Sequence, residues 1–249
     1  MKRPVQTLLL TLTGIGLLHT ALFTDTYLRY VKPGLRPPLI VSGAVLLLLG
    51  LAAAAVRGAP GPTAPDDHEH GHEHGHDHSG APRIAWLLFL PAISLLFYAP
   101  PALGAYTAAR SNAKPVAVQK KGFAPLPATS PLPLTLTEFT KRVQQDRSGA
   151  IKNRTVQLTG FVTPAEDGDG WYLTRIIFTC CAADSQTVKI RVYGTEAPPA
   201  NTWLAVTGTW HPRGALGTRS AQAALDTKDT HPIAQPVNAY TDDLPLTPS

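Results

Sequence analysis

The segment 35–56 reads LRPPLIVSGAVLLLLGLAAAAV, and it decides the class of protein to which this chain belongs. Its one charged residue is Arg36, close to the start. Its length matches the roughly 20 residues that an α-helix needs to cross about 30 Å of hydrocarbon at about 1.5 Å per residue. We therefore predict a membrane-spanning helix over 35–56.

Two more apolar runs, 5–23 and 84–105, have a similar length. The first follows two basic residues, as a signal peptide does, but no small-x-small cleavage site follows it, so we predict an uncleaved anchor. The third contains three prolines, which predict a bend or an early end because proline removes a helix hydrogen bond. Residues 1–110 are thus expected to form about three transmembrane helices, which makes the chain a multi-pass protein of a cell membrane in contact with the lipid bilayer.

Basic residues flank the predicted spans. Three crossings put Arg29, Lys32, Arg36, Arg110 and Lys114 on one side. The positive-inside tendency then favours a cytoplasmic soluble domain by a small margin, and the side stays open. The net charge of +5 comes mainly from these juxtamembrane cations, with no basic stripe interleaved with aromatics, so we expect no nucleic-acid partner.

The connection 58–82 holds a histidine tract, HEHGHEHGHDH, which begins at His68. Neutral imidazoles suit zinc, copper and nickel, and glycines let several rings converge on one ion. The tract predicts a metal-binding loop that is disordered or extended when unliganded; a solvated spacer is the alternative. The candidate ligands are His68, His70, His72, His74, His76 and His78.

Beyond the third run, a proline-rich linker is predicted over 111–133, a soluble domain over 134–240 and a tail over 241–249. Thr137 is the expected cap of a short helix that carries Phe139 and Val143 on one face. Period-two patterns then predict strands over 155–162, 171–179, 187–193, 202–210 and 221–225, with a turn at 166–170. The fold class is therefore α+β, with N-terminal transmembrane helices and a small, mainly β, OB-like barrel; a β-sandwich is the alternative.

The two cysteines of the chain are adjacent, Cys180–Cys181, and they directly follow the strand predicted over 171–179. Three interpretations stay open. One is a vicinal disulfide, which is strained because neighbouring Cα atoms lie closer than a bridge prefers. The second is a pair of buried apolar side chains. The third is a thiolate site for a soft or borderline metal, completed by Asp184 or by a partner's ligands.

No P-loop, dinucleotide glycine fingerprint, nucleophile elbow or His-Glu-x-x-His motif occurs, so we expect neither an enzyme nor an organic cofactor. His211 and His231, each followed by proline, are interpreted as isolated loop residues. The tryptophans of the soluble part are interpreted as core or rim side chains of the β-structure.

The sequence resembles a family of bacterial membrane proteins without an assigned activity, the YcgQ-like proteins described as permease subunits. The resemblance rests on YLRYVKPG from Tyr27, on the His-rich loop, on LTGFV from Leu158, and most specifically on RIIFTCCAAD from Arg175. It implies an accessory role beside a larger multi-span permease and a functional role for Cys180, Cys181 and Asp184.

Three hypotheses follow. The first is an accessory subunit of a membrane permease that binds a transition metal, zinc before others, through the histidine tract and the cysteine pair. The second is a membrane-anchored thiol redox module, in which the cysteines cycle between thiols and a strained disulfide and Arg175 is the local activating cation. The third is a purely structural protein that docks on a partner.

Overall fold

The structure is a computed structural model, and it describes residues 3–58, 103–111, 117–118, 122–165 and 170–245. The described residues form two compact units. The first contains 3–27 and 33–58, and the second contains 28–32 and 103–245. The predicted histidine ligands, the turn at 166–169 and all but the end of the third predicted span lie outside the described residues.

The first unit is built from two long helices, α1 (Arg3–Phe23) and α2 (Arg36–Gly58), which pack against each other. Glycine makes the close approach possible, since a Cβ on Gly14 would lie 2.7 Å from the main-chain nitrogen of Leu47. A Cβ on Gly43 would in turn lie 3.0 Å from Cγ of Leu18. Small residues at a helix contact are the usual way in which membrane helices pack closely.

The outward faces of both helices are apolar. Leu8 and Leu12 of α1 and Leu48 of α2 are more than half exposed. By length and composition, Pro4–Phe23 and Pro33–Val56 are both able to cross a membrane. Two of the three predicted spans thus have the required helices, and the third falls on residues that the structure does not describe.

The second unit is a mixed α+β domain around a six-stranded sheet. Its strands are β1 (Leu132–Pro133), β2 (Val156–Pro164), β3 (Trp171–Ile177), β4 (Gln186–Tyr193), β5 (Trp203–Trp210) and β6 (Ala224–Pro232). β2 pairs antiparallel with β3 and with β5; β3 pairs antiparallel with β4, and β4 pairs parallel with β6. Since β6 also pairs with β5, the pairings of β2 to β6 form a closed cycle.

The core of this domain lies where the apolar side of each strand meets helix α4 (Leu136–Gln145). Trp171 and Leu173 alternate with more polar residues along β3, as the period-two pattern predicts. The α4 cap differs from the sequence prediction. Thr135, not Thr137, accepts the amide N–H of Glu138 at 3.1 Å, because the helix begins at Leu136 and its cap must precede it.

Part of the predicted linker belongs to the domain. Leu132 is buried, and β1 pairs parallel with the start of β2. Arg142 of α4 donates to the carbonyl oxygen of Ala124 at 2.8 Å, so the proline-rich segment before β1 is held against the helix.

The last strand is longer than predicted and lies further along the chain. β6 covers Ala224–Pro232, whereas the apolar pattern covers only 221–225. Its second half is polar, and this half belongs to the strand because residues 229–232 pair with residues 204–207 of β5 through the main chain. His231 therefore lies in a strand beside Asp229 rather than in a loop.

A short helix, α3 (Ala105–Arg110), begins at the last residue of the third predicted span. Ala105 and Ala108 are buried in a second apolar cluster with Phe161 and Ile176, on the sheet face opposite the main core. The residues at this boundary are thus part of the soluble domain.

Candidate functional site

The chain after β3 is anchored by an aromatic pair. Phe178 is buried, its ring stacks on the ring of Tyr240 with centroids 4.6 Å apart, and its N–H donates to the carbonyl oxygen of Tyr240 at 3.0 Å. The hydroxyl of Tyr240 in turn donates to the carbonyl oxygen of Leu103 at 3.0 Å. This anchor fixes the point from which the cysteine-bearing loop leaves the sheet.

The carboxylate of Asp184 organises that loop. It accepts the N–H groups of Thr179 at 2.9 Å, Cys180 at 2.7 Å and Cys181 at 3.2 Å. A short 3-10 helix, Ala182–Asp184, brings the carboxylate back onto the three amides. Three consecutive main-chain donors on one carboxylate hold the loop in a single curved conformation, because each charge-assisted bond is stronger than a neutral one.

The two thiols stand at the surface of this loop. Cys180 is exposed, Cys181 is partly exposed, and both are free. Their sulfurs are 3.6 Å apart. The Cys181 sulfur also accepts the N–H of Asp184, which closes a reciprocal pair with the carboxylate. The interpretation of Cys180–Cys181 as a buried apolar pair is therefore wrong. Because β3 ends at Ile177, the two cysteine side chains do not have to point to opposite faces of the sheet.

The three candidate ligand atoms converge. The sulfurs of Cys180 and Cys181 and a carboxylate oxygen of Asp184 all lie within 4.8 Å of one another. Two sulfurs bound to zinc at about 2.3 Å with a tetrahedral angle between them are roughly 3.7 Å apart. The observed separation of 3.6 Å matches that value. The donor set of two thiols and a carboxylate therefore fits a zinc-like ion with a fourth position left for another ligand.

The electrostatics of the loop favour a protonated Cys180 thiol in the absence of a metal. The hydrogen bond to the Asp184 carboxylate, with a smaller contribution from Cys181, raises the pKa of Cys180 to about 11. For Asp184, desolvation alone would raise the pKa, but the hydrogen bonds from the Cys180 thiol and from the three amides outweigh it and lower the pKa. A bound divalent cation reverses this preference for the thiol, since coordination deprotonates it.

The loop is also paired on its other side, with a segment from the start of the chain. Residues 28–32 belong to this unit. Val31 and Cys181 form an antiparallel bridge in which Lys32 N–H donates to Cys180 O at 3.0 Å and Ala182 N–H donates to Tyr30 O at 2.7 Å. The main chain around the thiols is thus held from two directions.

Arg175, the cation considered for thiol activation, is used elsewhere. Its guanidinium donates to the carbonyl oxygens of Asn238 and Thr241, both at 3.0 Å, and lies over the ring of Trp203 at 5.3 Å. Burial lowers its pKa to about 10, although the nearby Asp242 carboxylate opposes this effect. Arg175 therefore anchors the 238–241 turn that carries Tyr240.

Sequence reasoning missed a second polar pair. His211, interpreted as an isolated loop residue, has its Nδ1 2.7 Å from a carboxylate oxygen of Asp226, and its ring lies 4.5 Å from that of Tyr193. No local pattern could reveal this pair, since the pairing of β5 with β6 brings the two residues together.

Comparison with known proteins finds one similarity, which covers part of the chain. Residues 136–241 match the family model described as the DUF1980 C-terminal domain. The match runs from α4 to one residue past Tyr240, and it includes both cysteines and Asp184 but neither α1, α2 nor the histidine tract. No curated protein and no solved structure matches the chain. The match shows what residues 136–241 are similar to, and the chemistry of this region has to be inferred from the site itself.

Proposed function

We propose that this protein is a membrane-anchored accessory subunit of a permease and that it binds a transition-metal ion, zinc before others, at Cys180 and Cys181. The observation that carries the proposal is the convergence of two exposed sulfurs and the Asp184 carboxylate within 4.8 Å. Because the loop backbone is already hydrogen-bonded on both sides, an ion does not have to order the loop in order to bind.

The charge balance supports a divalent ion. Two thiolates and one carboxylate more than neutralise Zn²⁺, and thiolates favour zinc and copper(I) over magnesium or calcium. A closed structural zinc site has four protein ligands, whereas this cluster offers three at an exposed position. Such an open site suits an ion that is received and passed on. This proposal includes no catalytic step.

The membrane part of the proposal rests on α1 and α2, which have the length and apolar surface of spanning helices. With the third predicted span, 84–105, the chain is a multi-pass protein whose soluble domain lies on the side opposite the histidine tract. The tract, 68–78, then gathers ions weakly on that other side, and a larger multi-span permease provides the path between the two. The resemblance of the sequence to YcgQ-like proteins supports this partner.

For the soluble domain we propose the OB-like barrel rather than the sandwich. The closed cycle of pairings β2-β3-β4-β6-β5-β2, with a parallel β4–β6 pair, supports a barrel because a sandwich has two sheets with separate edges. The barrel is then the rigid support of the thiol loop.

The redox alternative is weakened by the same geometry. Reactive thiols have a lowered pKa beside a cation or a helix N-terminus, whereas the pKa of Cys180 is raised by a carboxylate. Arg175, the candidate activating cation, is bound to main-chain carbonyls instead.

The test is a zinc titration of the full chain in detergent, by competition with a chromophoric chelator, on four matched proteins. They are the natural chain, a variant with the six tract histidines replaced by asparagine, Cys180→Ser/Cys181→Ser, and the two sets combined. We expect the cysteine variant to lose a tight class of site and the tract variant to lose a weaker one. Equal affinity of the natural chain and the combined variant would refute the proposal.

A further inference from the structure

The five residues 28–32 lie within the connection 24–35 between α1 and α2, yet they belong to the second unit. Their main chain makes hydrogen bonds to that unit. Tyr30 and Lys32 each make one hydrogen bond to the loop, at 2.7 Å to Ala182 N and at 3.0 Å to Cys180 O, on either side of the Val31–Cys181 bridge.

These bonds complement those of Asp184. The carboxylate takes the N–H groups of Thr179, Cys180 and Cys181, which all point to one side of the loop. The N–H of Lys32 donates to the carbonyl oxygen of Cys180, and the carbonyl oxygen of Tyr30 accepts the N–H of Ala182. Ala182 is the first residue of the loop after those whose N–H groups bond to Asp184. The two sets of bonds therefore hold different main-chain groups of the loop.

The residues nearby support a stable contact. Tyr240, which stacks on Phe178 at the base of the loop, has a pKa raised by burial, with Arg29 opposing that rise through its positive charge. The positive charge of Arg29 thus acts on the aromatic anchor, while the main chain of the segment is hydrogen-bonded to the thiol loop.

We infer that segment 28–32 is a positioning element of the metal site, so that occupancy of the thiol pair is coupled to the connection between α1 and α2. The inference rests on the proposed function. Lys32 precedes the first residue of α2, Arg36, by only four positions in the chain. The thiol pair therefore lies on the same side of the membrane as this connection, where a membrane-embedded partner receives or delivers the ion.

The first test removes one hydrogen bond. Lys32→Pro deletes the N–H that donates to Cys180 O, and Lys32→Ala removes the side chain but keeps that N–H. The residue before a proline is confined to extended conformations, and Val31 already meets this restriction in its bridge. Both variants are made in the chain whose tract histidines are replaced by asparagine, so that only the thiol site is measured.

The readout is the thiolate-to-metal charge-transfer absorption on titration with Co²⁺, which reports sulfur ligation and no other binding. The loss of one main-chain hydrogen bond is expected to weaken Co²⁺ binding by about three- to tenfold in Lys32→Pro and to leave Lys32→Ala unchanged. Thermal unfolding of the soluble domain should be equal in the two variants, since Lys32 lies outside the sheet.

The outcomes separate the two proposals. If the natural chain shows no charge-transfer band, the metal site itself is wrong. If the band is present and the two Lys32 variants have equal affinity, the positioning role is overturned while the metal site stands. If Lys32→Pro unfolds at a lower temperature than Lys32→Ala, a general stabilising role replaces the positioning role.

The second test needs no metal. Gly34 is exposed, and a Cβ there has no described atom within 4 Å, so Gly34→Cys is tolerated sterically. This variant in a Cys180→Ser/Cys181→Ser background, and the natural cysteine pair, are labelled with a membrane-impermeant maleimide in intact cells and in inverted vesicles. Labelling from the same side is expected, and labelling from opposite sides would overturn the inference.

Discussion

The carboxylate of Asp184 holds the proton on Cys180, and Asp184→Asn should release it. The hydrogen bond to Asp184 is the largest cause that raises the pKa of this thiol from 9.0 to about 11. An asparagine has no negative charge and offers an N–H₂ group where one carboxylate oxygen was. We therefore expect the pKa of Cys180 in the variant to fall towards 9.0.

The size of the effect follows from the thiolate fraction. At pH 8 a thiol with a pKa of about 11 is ionised in roughly one molecule in 1,000, and with a pKa near 9 in roughly one in 10. The gain of about 100-fold in thiolate is partly offset, since nucleophilicity falls with pKa with a Brønsted coefficient of about 0.4–0.5. The alkylation rate of Cys180 should therefore rise about tenfold.

The assay is the rate of iodoacetamide alkylation from pH 7 to pH 11, in a Cys181→Ser background so that a single thiol reacts. Glu196→Gln is the matched control, because it removes one exposed negative charge from the β4–β5 connection. The midpoint of the rate profile should move down in Asp184→Asn and stay in place in the control. An unchanged midpoint, or a slower rate at pH 8, would show that Asp184 does not stabilise the protonated thiol.

Three other predictions concern the site, the sheet and the helices. With a pKa of about 11, the Cys180 thiol is protonated between pH 7 and pH 9, and it must lose its proton to bind a metal. The logarithm of the Co²⁺ affinity should therefore rise by about one per pH unit over this range from Cys180 alone, and an affinity that does not change with pH would exclude Cys180 as a ligand. Gly208→Ala would place a Cβ against the main-chain oxygen of Asp226 in the facing strand β6, closer than a Cβ can lie, so it should lower the free energy of unfolding by about 2 kcal/mol or more. Thr207→Ala in the same strand should lower it by less than about 1 kcal/mol, and chemical unfolding curves of the two variants measure the difference. Gly14→Leu should separate α1 from α2 because its Cβ meets the α2 main chain, whereas Gly16→Leu has no described atom within 4 Å of its Cβ and should be neutral; equal thermal stability of the two variants in detergent would contradict the packing.

The local patterns of the chain were sufficient for its main elements. Two of the predicted spans correspond to α1 and α2, and four of the strands lie within two or three residues of their predicted bounds. The spacing of apolar residues predicts these elements because a strand with one buried face has an apolar side chain at every second residue, whereas a membrane helix is apolar on all sides. It failed for β6, whose polar half is held by main-chain pairing with β5 and has no apolar signal.

The cap of α4 shows a second limit. Thr135 and Thr137 are both plausible caps by residue type, and the choice depends on where the first helical turn begins. Leu136 is buried in the core, so the packing of this side chain sets the start of the helix and leaves Thr135 as the residue before it.

For the site, the sequence by itself determined that two adjacent thiols and a carboxylate occur at Cys180, Cys181 and Asp184, at the end of a strand. Only the tertiary structure decided what they do together. The Asp184 carboxylate accepts three main-chain N–H groups of the loop. The N–H of Lys32, which lies about 150 residues earlier in the chain, donates to the carbonyl oxygen of Cys180. Main-chain groups are the same at every residue, so no residue pattern encodes such bonds, and they exist only once the fold has brought the two segments together.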